Sequence, residues 1–199
     1  IDDGSTDATS ACAQRLIDET PTRPITLIRQ MNAGKANALN AGLAAASGEL
    51  IVTVDADTIF EPDALGLLVQ PMRAPEVGAV SGNTKVGNRR RLLGRWQHLE
   101  YVMGFNLDRR MYDVLGCMPT VPGAIGAFRT VALERVGGFS DDTLAEDTDL
   151  TMALHRAGYQ VVYEPRAVAW TEAPEGLHDL WRQRYRWSYG TIQSVWKHR

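Results

Sequence analysis

The chain has 199 residues, 44% of them hydrophobic and 23% charged, with a formal net charge of −3. That balance predicts one globular domain with a sizeable core and argues against nucleic acid as a partner. The run Arg89-Arg90-Arg91 is the one local basic patch, suited to phosphates or an anionic membrane surface, or simply solvated. Two cysteines, Cys12 and Cys117, offer neither metal spacing nor a disulfide framework and favour a reducing compartment, and His98, His155, His178 and His198 are scattered without ligand spacing.

No signal-peptide pattern and no apolar run long enough to cross a membrane is present. The chain opens at Ile1, directly before a strand-end turn, and closes on Trp196-Lys197-His198-Arg199 within a helical pattern, so it reads as a fragment truncated at both ends. Linker composition, repeats and low-complexity tracts do not divide it.

Ser5 or Asp7 is placed to cap a first helix with the apolar face Ala8, Ala11, Cys12 and Leu16. Residues 24–29 read as a strand. A second helix over 35–46 turns Ala36, Leu39 and Leu43 inward and is stopped by Gly48. Leu50 to Asp57 then reads as a buried strand whose end carries two carboxylates, Asp55 and Asp57, projecting the same way. Such strand ends bind ligands in open α/β sheets. A hard cation such as Mg²⁺ takes one or two carboxylates together with phosphate oxygens, so this pair points to nucleotide chemistry. The plain alternative is two solvated aspartates opening a loop. A helix from Pro62 through Val69 and a strand over 77–81 complete a β/α winding around a mostly parallel sheet.

In the second half, Leu92, Trp96, Leu99 and Met103 keep helical spacing, which fits a core helix by default or one resting on a membrane face. Residues 117–129 hold Pro119, Pro122, Gly123 and Gly126 and should be extended and bent where backbone approaches a ligand or another segment. Glu146-Asp147-Thr148-Asp149 opens a helix that ends at Gly158, with its acids at the positive end of the helix dipole, where capping alone could explain them. In a final helix Gln183, Arg186 and Trp187 share one face. An amide, a guanidinium and an indole in one stripe suit a diphosphate and a sugar ring; an amphipathic helix with a snorkelling arginine is the alternative. Lys35 does not make an ATPase loop, because Asn32-Ala33-Gly34-Lys35-Ala36 lacks the earlier glycine and the hydroxyl residue after lysine.

Taken in order, these motifs resemble those of the processive family 2 glycosyltransferases, the membrane synthases of cellulose, chitin, hyaluronan and poly-N-acetylglucosamine, over nearly the whole chain. Asp2-Asp3-Gly4-Ser5 is similar to the family's first nucleotide motif, residues 34–40 to its lysine segment, Asp55-Ala56-Asp57 to its metal motif, residues 122–129 to its acceptor loop, and Gln183, Arg186 and Trp187 to its Q-x-x-R-W signature. The wording of residues 143–150 and 170–174 is closest to bacterial poly-β-1,6-N-acetylglucosamine synthases. Ala145 stands where many relatives carry threonine, but Glu146 and Asp147 remain.

The resemblance implies a single domain of the GT-A fold, with residues 1–86 as the nucleotide-sugar and metal-binding half and 87–199 as the acceptor and catalytic-base half. It implies inverting transfer of a sugar, N-acetylglucosamine first among candidates, from a UDP-sugar to a hydroxyl of a growing β-linked polysaccharide. Asp147 is then the base with Glu146 beside it, and Asp55 and Asp57 hold Mg²⁺ or Mn²⁺. Asp2, Asp3, Lys35, Asp55, Gln183, Arg186 and Trp187 are expected on the donor, and Gly123, Ala124 and Trp187 on the acceptor. The family setting is the cytoplasmic face of the bacterial inner membrane, reached through segments absent from this chain. Two alternatives stay open: a non-processive soluble transferase of the same fold, and a non-catalytic sugar-nucleotide sensor.

Overall fold

In the computed structural model, which describes residues 1–199, an N-terminal strand pair sits beside a five-stranded sheet clad by helices on both faces. Strand β1 (Asp2–Asp3) leads through helix α1 (Thr9–Glu19) to β2 (Arg29–Gln30), and the two strands pair in parallel. Only Arg29 of the predicted 24–29 strand takes part in it. Asp7 accepts from the Thr9 backbone N–H at 2.9 Å, as its capping role requires. The expected inward face of α1 is not realised: none of its residues is buried, and Leu16 and Cys12 are exposed.

Gly34, at φ 88°, turns the chain into α2 (Lys35–Ala45), which buries Ala36 and packs Leu39 and Leu43 on the core. Strands β3 (Leu50–Thr53) and β4 (Ile59–Phe60), helix α3 (Ala64–Val69) with a 3₁₀ turn behind it, and β5 (Val77–Val86) follow. Helices α4 (Leu92–Glu100) and α5 (Leu107–Val114) are joined by one π-helical stretch, Tyr101–Asn106. Then come β6 (Gly126–Arg129), α6 (Thr130–Val136), α7 (Glu146–Arg156), β7 (Gln160–Thr171) and the long α8 (Leu177–Lys197).

The five-stranded order is β3-β6-β5-β7-β4. Only β5 and β7 run parallel in it; β3–β6, β5–β6 and β4–β7 are antiparallel. The sheet is therefore mixed and not mostly parallel, because β6 returns between β3 and β5 and reverses direction on both sides. Central β5 alternates its side chains between two cores: Ala79 joins Phe128, Leu133, Leu150 and Leu154 on one face, and Val80 joins Leu68, Ile125 and Ala127 on the other. At about 25 cal/mol per Å² of apolar surface removed from water, these two layers supply the main driving force for the fold.

Two further expectations need correction. The strand β3 is half-buried and ends at Thr53, so Asp55 and Asp57 sit in the turn beyond it and not on the strand. The stripe Leu92, Trp96, Leu99 and Met103 is not core: all four side chains are exposed, with Trp96 at 70%. What the rod buries is its other side, including Gly94, Gln97, Tyr101 and Arg109. Amphipathic spacing reveals that a helix has two faces, but not which face meets the protein.

Candidate active site

One cavity of about 480 Å³ opens beyond the β3 and β7 ends, and its walls carry Lys35, Asp55, Asp57, Gly123, Ala124, Glu146, Asp147, Gln183, Arg186 and Trp187. Every predicted site residue except Asp2 and Asp3 is thus brought to one space.

At one end lie the carboxylates of the turn after β3. The Lys35 ammonium bridges Asp55 Oδ1 at 2.8 Å and Glu146 Oε1 at 3.2 Å. Burial pulls the Lys35 pKa down, but the two carboxylates outweigh it and hold the ammonium above its ordinary value. Asp57 Oδ1 accepts from Thr171 Oγ1 at 3.0 Å and Thr58 Oγ1 at 3.2 Å, which ties the turn to the end of β7. No group of three or more His, Cys, Asp or Glu side chains converges here or elsewhere. The donor set is two oxygen ligands, and an ammonium already rests against one of them as a stand-in cation. It fits a hard divalent ion that completes its shell with phosphate and water.

Gly123 explains why the proline- and glycine-rich segment bends here. A Cβ on it would lie 2.4 Å from Lys35 Nζ and 3.1 Å from Asp55 Oδ1, so only glycine lets the backbone pass the Lys35–Asp55 pair without displacing the ammonium. The same segment is stitched to α7: the Val121 N–H donates to Thr151 Oγ1 at 2.9 Å, and Thr148 Oγ1 donates to Thr120 Oγ1 at 3.2 Å.

Glu146 and Asp147 stand in the first turn of α7, which has no side-chain N-cap. Asp147 Oδ1 accepts from the Thr148 N–H at 2.8 Å. Burial, then the neighbouring Glu146 charge, push the Asp147 carboxyl up from 3.8 to about 6, against the smaller pull of the Thr148 N–H and Lys35. A carboxyl ionised at neutral pH yet basic enough to accept a proton is what general-base work needs. Asp149 faces the other way. Almost fully buried, it accepts from Lys197 Nζ at 2.8 Å and pairs with His198 Nε2 at 2.7 Å, clamping the end of α8 to α7.

On α8, Gln183, Arg186 and Trp187 line the cavity together, as their shared face predicts. Gln183 Oε1 is buried without a hydrogen-bond partner, an acceptor waiting for a donor. Arg184 covers the Trp187 ring at 4.5 Å while pairing with Glu100 at 2.6 Å, and Phe105 meets the same indole edge-on at 5.9 Å.

Asp2 and Asp3 lie outside this cavity. Asp2 accepts from the Ser5 N–H at 2.8 Å, and hydrogen bonding by Ser5 brings its carboxyl down to about 2. Asp3 Oδ1 and Oδ2 accept the backbone N–H groups of Ala33 and Gly34, each at 2.9 Å, and Oδ1 also accepts from Gln30 Nε2 at 2.7 Å. Those bonds hold its carboxyl below its ordinary value and fix the turn that leads into Lys35.

Sequence reasoning missed the wall built by the α4–α5 rod. Tyr101, Phe105, Arg109 and Tyr112, spaced three or four apart across the π-helical stretch, all reach the cavity. The signal was the second face of a helix whose apolar stripe drew attention instead.

Residues 50–199 match the family model described as glycosyl transferase family group 2. The chain is 35% identical over 191 residues to the poly-beta-1,6-N-acetyl-D-glucosamine synthase of Staphylococcus epidermidis, covering 96% of this chain and 46% of that protein. It is 36% identical, over the same shares, to the enzyme of that name from Staphylococcus aureus strain COL. The chain spans less than half the length of these relatives. Among solved structures it resembles the mannosyltransferase PcManGT from Pyrobaculum calidifontis in complex with GDP-Man and Mn2+, with a TM-score of 0.81, 30% identity, and coverage of 98% of this chain and 52% of that one. Glucosyl-3-phosphoglycerate synthase from Mycobacterium tuberculosis shares the fold at a TM-score of 0.57 and 20% identity, over 98% of this chain and 67% of that one.

Proposed function

The chain belongs to glycosyl transferase family group 2, with a GT-A fold and a glycosyltransferase's activity, and from that premise we propose that it transfers N-acetylglucosamine from a UDP-sugar to a hydroxyl of a growing β-linked polysaccharide, with inversion. The observation that carries this reading is the shared cavity: Asp147 and the Asp55/Asp57 turn occupy its walls, with Lys35 between them.

Asp147 takes the proton from the acceptor hydroxyl as that oxygen bonds to the anomeric carbon. The bond from that carbon to the phosphate oxygen breaks on the opposite side, and the electron pair leaves on UDP. Arg186 and Lys35 are the side chains placed to meet the charge that builds there. A divalent ion held by Asp55 and Asp57 would add electrostatic stabilisation of the leaving diphosphate. The GDP-Man and Mn2+ bound by the 30% identical mannosyltransferase support that assignment. Glu146, paired to Lys35, holds negative charge beside the base and keeps it basic. Gly123, Ala124 and Trp187 serve the acceptor, and Gln183 the donor. Asp3 acts as a strut that sets Gly34 and Lys35.

No helix is long and apolar enough to cross a membrane. The exposed stripe of Leu92, Trp96, Leu99, Met103 and Leu107, with Leu177 and Trp181 exposed on α8, supports residence against the inner face of a bacterial membrane.

The test is transfer from a panel of radiolabelled UDP-N-acetylglucosamine, UDP-glucose and GDP-mannose by the parent protein in membranes, with product digestion by linkage-specific hydrolases. Label from UDP-N-acetylglucosamine in β-1,6-linked product is the expected result. GDP-mannose as sole donor would replace it with the chemistry of the 30% identical neighbour.

A further inference from the structure

We propose that Arg109 grips the acceptor saccharide, donating hydrogen bonds to hydroxyl or acetamido oxygens of the sugar that meets Trp187; this rests on the transferase reading above. Arg109 is 8% exposed, lines the cavity, and makes neither an ion pair nor a hydrogen bond through its guanidinium. Its guanidinium stands over the Phe105 ring at 5.9 Å. Other cations near the site are engaged: Lys35 by Asp55 and Glu146, half-buried Arg184 by Glu100, and Lys197 by Asp149. Burial depresses the Arg109 pKa against the smaller opposing pull of Tyr163, Tyr101 and Asp147, so the guanidinium keeps donors free for oxygens that a ligand would supply.

The position says which ligand. Phe105 touches Arg109 on one side and Trp187 on the other, and Tyr101, Phe105 and Tyr112 continue the same wall. Aromatic plates with a forked N–H donor between them suit a sugar's apolar face and its equatorial oxygens. The nearest carboxylate whose charge reaches the guanidinium within the site is Asp147, the base that must receive the acceptor's proton. The diphosphate has its own partners at the Asp55/Asp57 end and in Arg186. Thr84, whose buried hydroxyl also lacks a partner, lines the same cavity.

Calorimetry on the chain with UDP and Mn²⁺, and separately with a β-linked N-acetylglucosamine pentasaccharide, tests this on wild type, Arg109→Met and Arg109→Lys. Arg109→Met should weaken pentasaccharide binding tenfold or more, leave UDP affinity within about twofold, and raise the melting temperature by about 3 °C because an unpaired buried charge is gone. Arg109→Lys should fall between. A parallel loss of UDP affinity would reassign Arg109 to the donor. A lower melting temperature or a failure of Arg109→Met to fold would make it a structural residue, and a wild type that binds UDP but no pentasaccharide would overturn the inference. Failure of wild type to bind UDP at all would instead sink the transferase reading itself.

Discussion

Two pairs of adjacent acids, Asp2-Asp3 and Glu146-Asp147, look alike in the sequence and are opposite in the structure. In the first pair Asp3 accepts from three donors, Ala33, Gly34 and Gln30, and Asp2 from Ser5, and both carboxyls are held below the ordinary range, Asp2 at about 2. In the second, Asp147 has one backbone donor, a half-buried setting and a like charge beside it, and is raised to about 6. A carboxylate that has spent its lone pairs on backbone N–H groups is a strut. One kept short of donors in a cavity stays ready to take a proton.

Asp147→Asn is the strongest test of that contrast. It should lower transfer by about a thousandfold while UDP affinity stays within twofold. It should also stabilise the protein. Because the folded-state pKa of Asp147 lies above the ordinary 3.8, the native state binds this proton more tightly than the unfolded chain. The ionised carboxyl therefore costs stability increasingly as pH rises from about 4 through about 6, and the cost is complete above that, at about 3 kcal/mol for a shift of this size. Melting of the variant should exceed wild type by about 6 °C or more at pH 7.5, with the gain vanishing near pH 4. No gain at pH 7.5 would erase the distinction between strut and base.

Next in size, kcat of the wild type should fall tenfold per pH unit below about 6, read from a pH profile with saturating donor. Lys35→Met should move that acid limb to higher pH, since Lys35 lowers the Asp147 pKa, and should raise donor KM by about tenfold. Gly123→Ala should act as a milder version, because its Cβ pushes the ammonium aside without deleting it; donor KM should rise a few-fold with melting nearly unchanged. The smallest effect belongs to the strut. Asp3→Ala should raise donor KM about threefold by loosening the turn before Lys35, and leave the acid limb in place.

What could be read in advance was whatever depends on short spacing. Asp55 and Asp57, Glu146 and Asp147, and the Gln183, Arg186, Trp187 face all reach one cavity, the last because helical spacing fixes direction locally and the two acid pairs because the members of each stand within three residues of one another at an element end. Strand pairing depends on where distant segments return, and so β6 entering antiparallel between β3 and β5 left no local mark. The 92–103 stripe failed for a related reason: apolar spacing is blind to whether the partner lies within this chain, and here that face is solvent-exposed. Arg109 escaped because an arginine in an amphipathic helix looks solvated until its burial is known.

The clamp at Asp149 has a mechanical consequence. Asp149 lies two residues past Asp147 and grips Lys197 and His198 at the far end of the helix that carries Gln183, Arg186 and Trp187. Traction on that end is delivered to the first turn of α7, so tilting α8 would move Asp147 relative to the Asp55/Asp57 turn. The two walls of the cavity are geared together, so a load on the end of α8 is felt at Asp147.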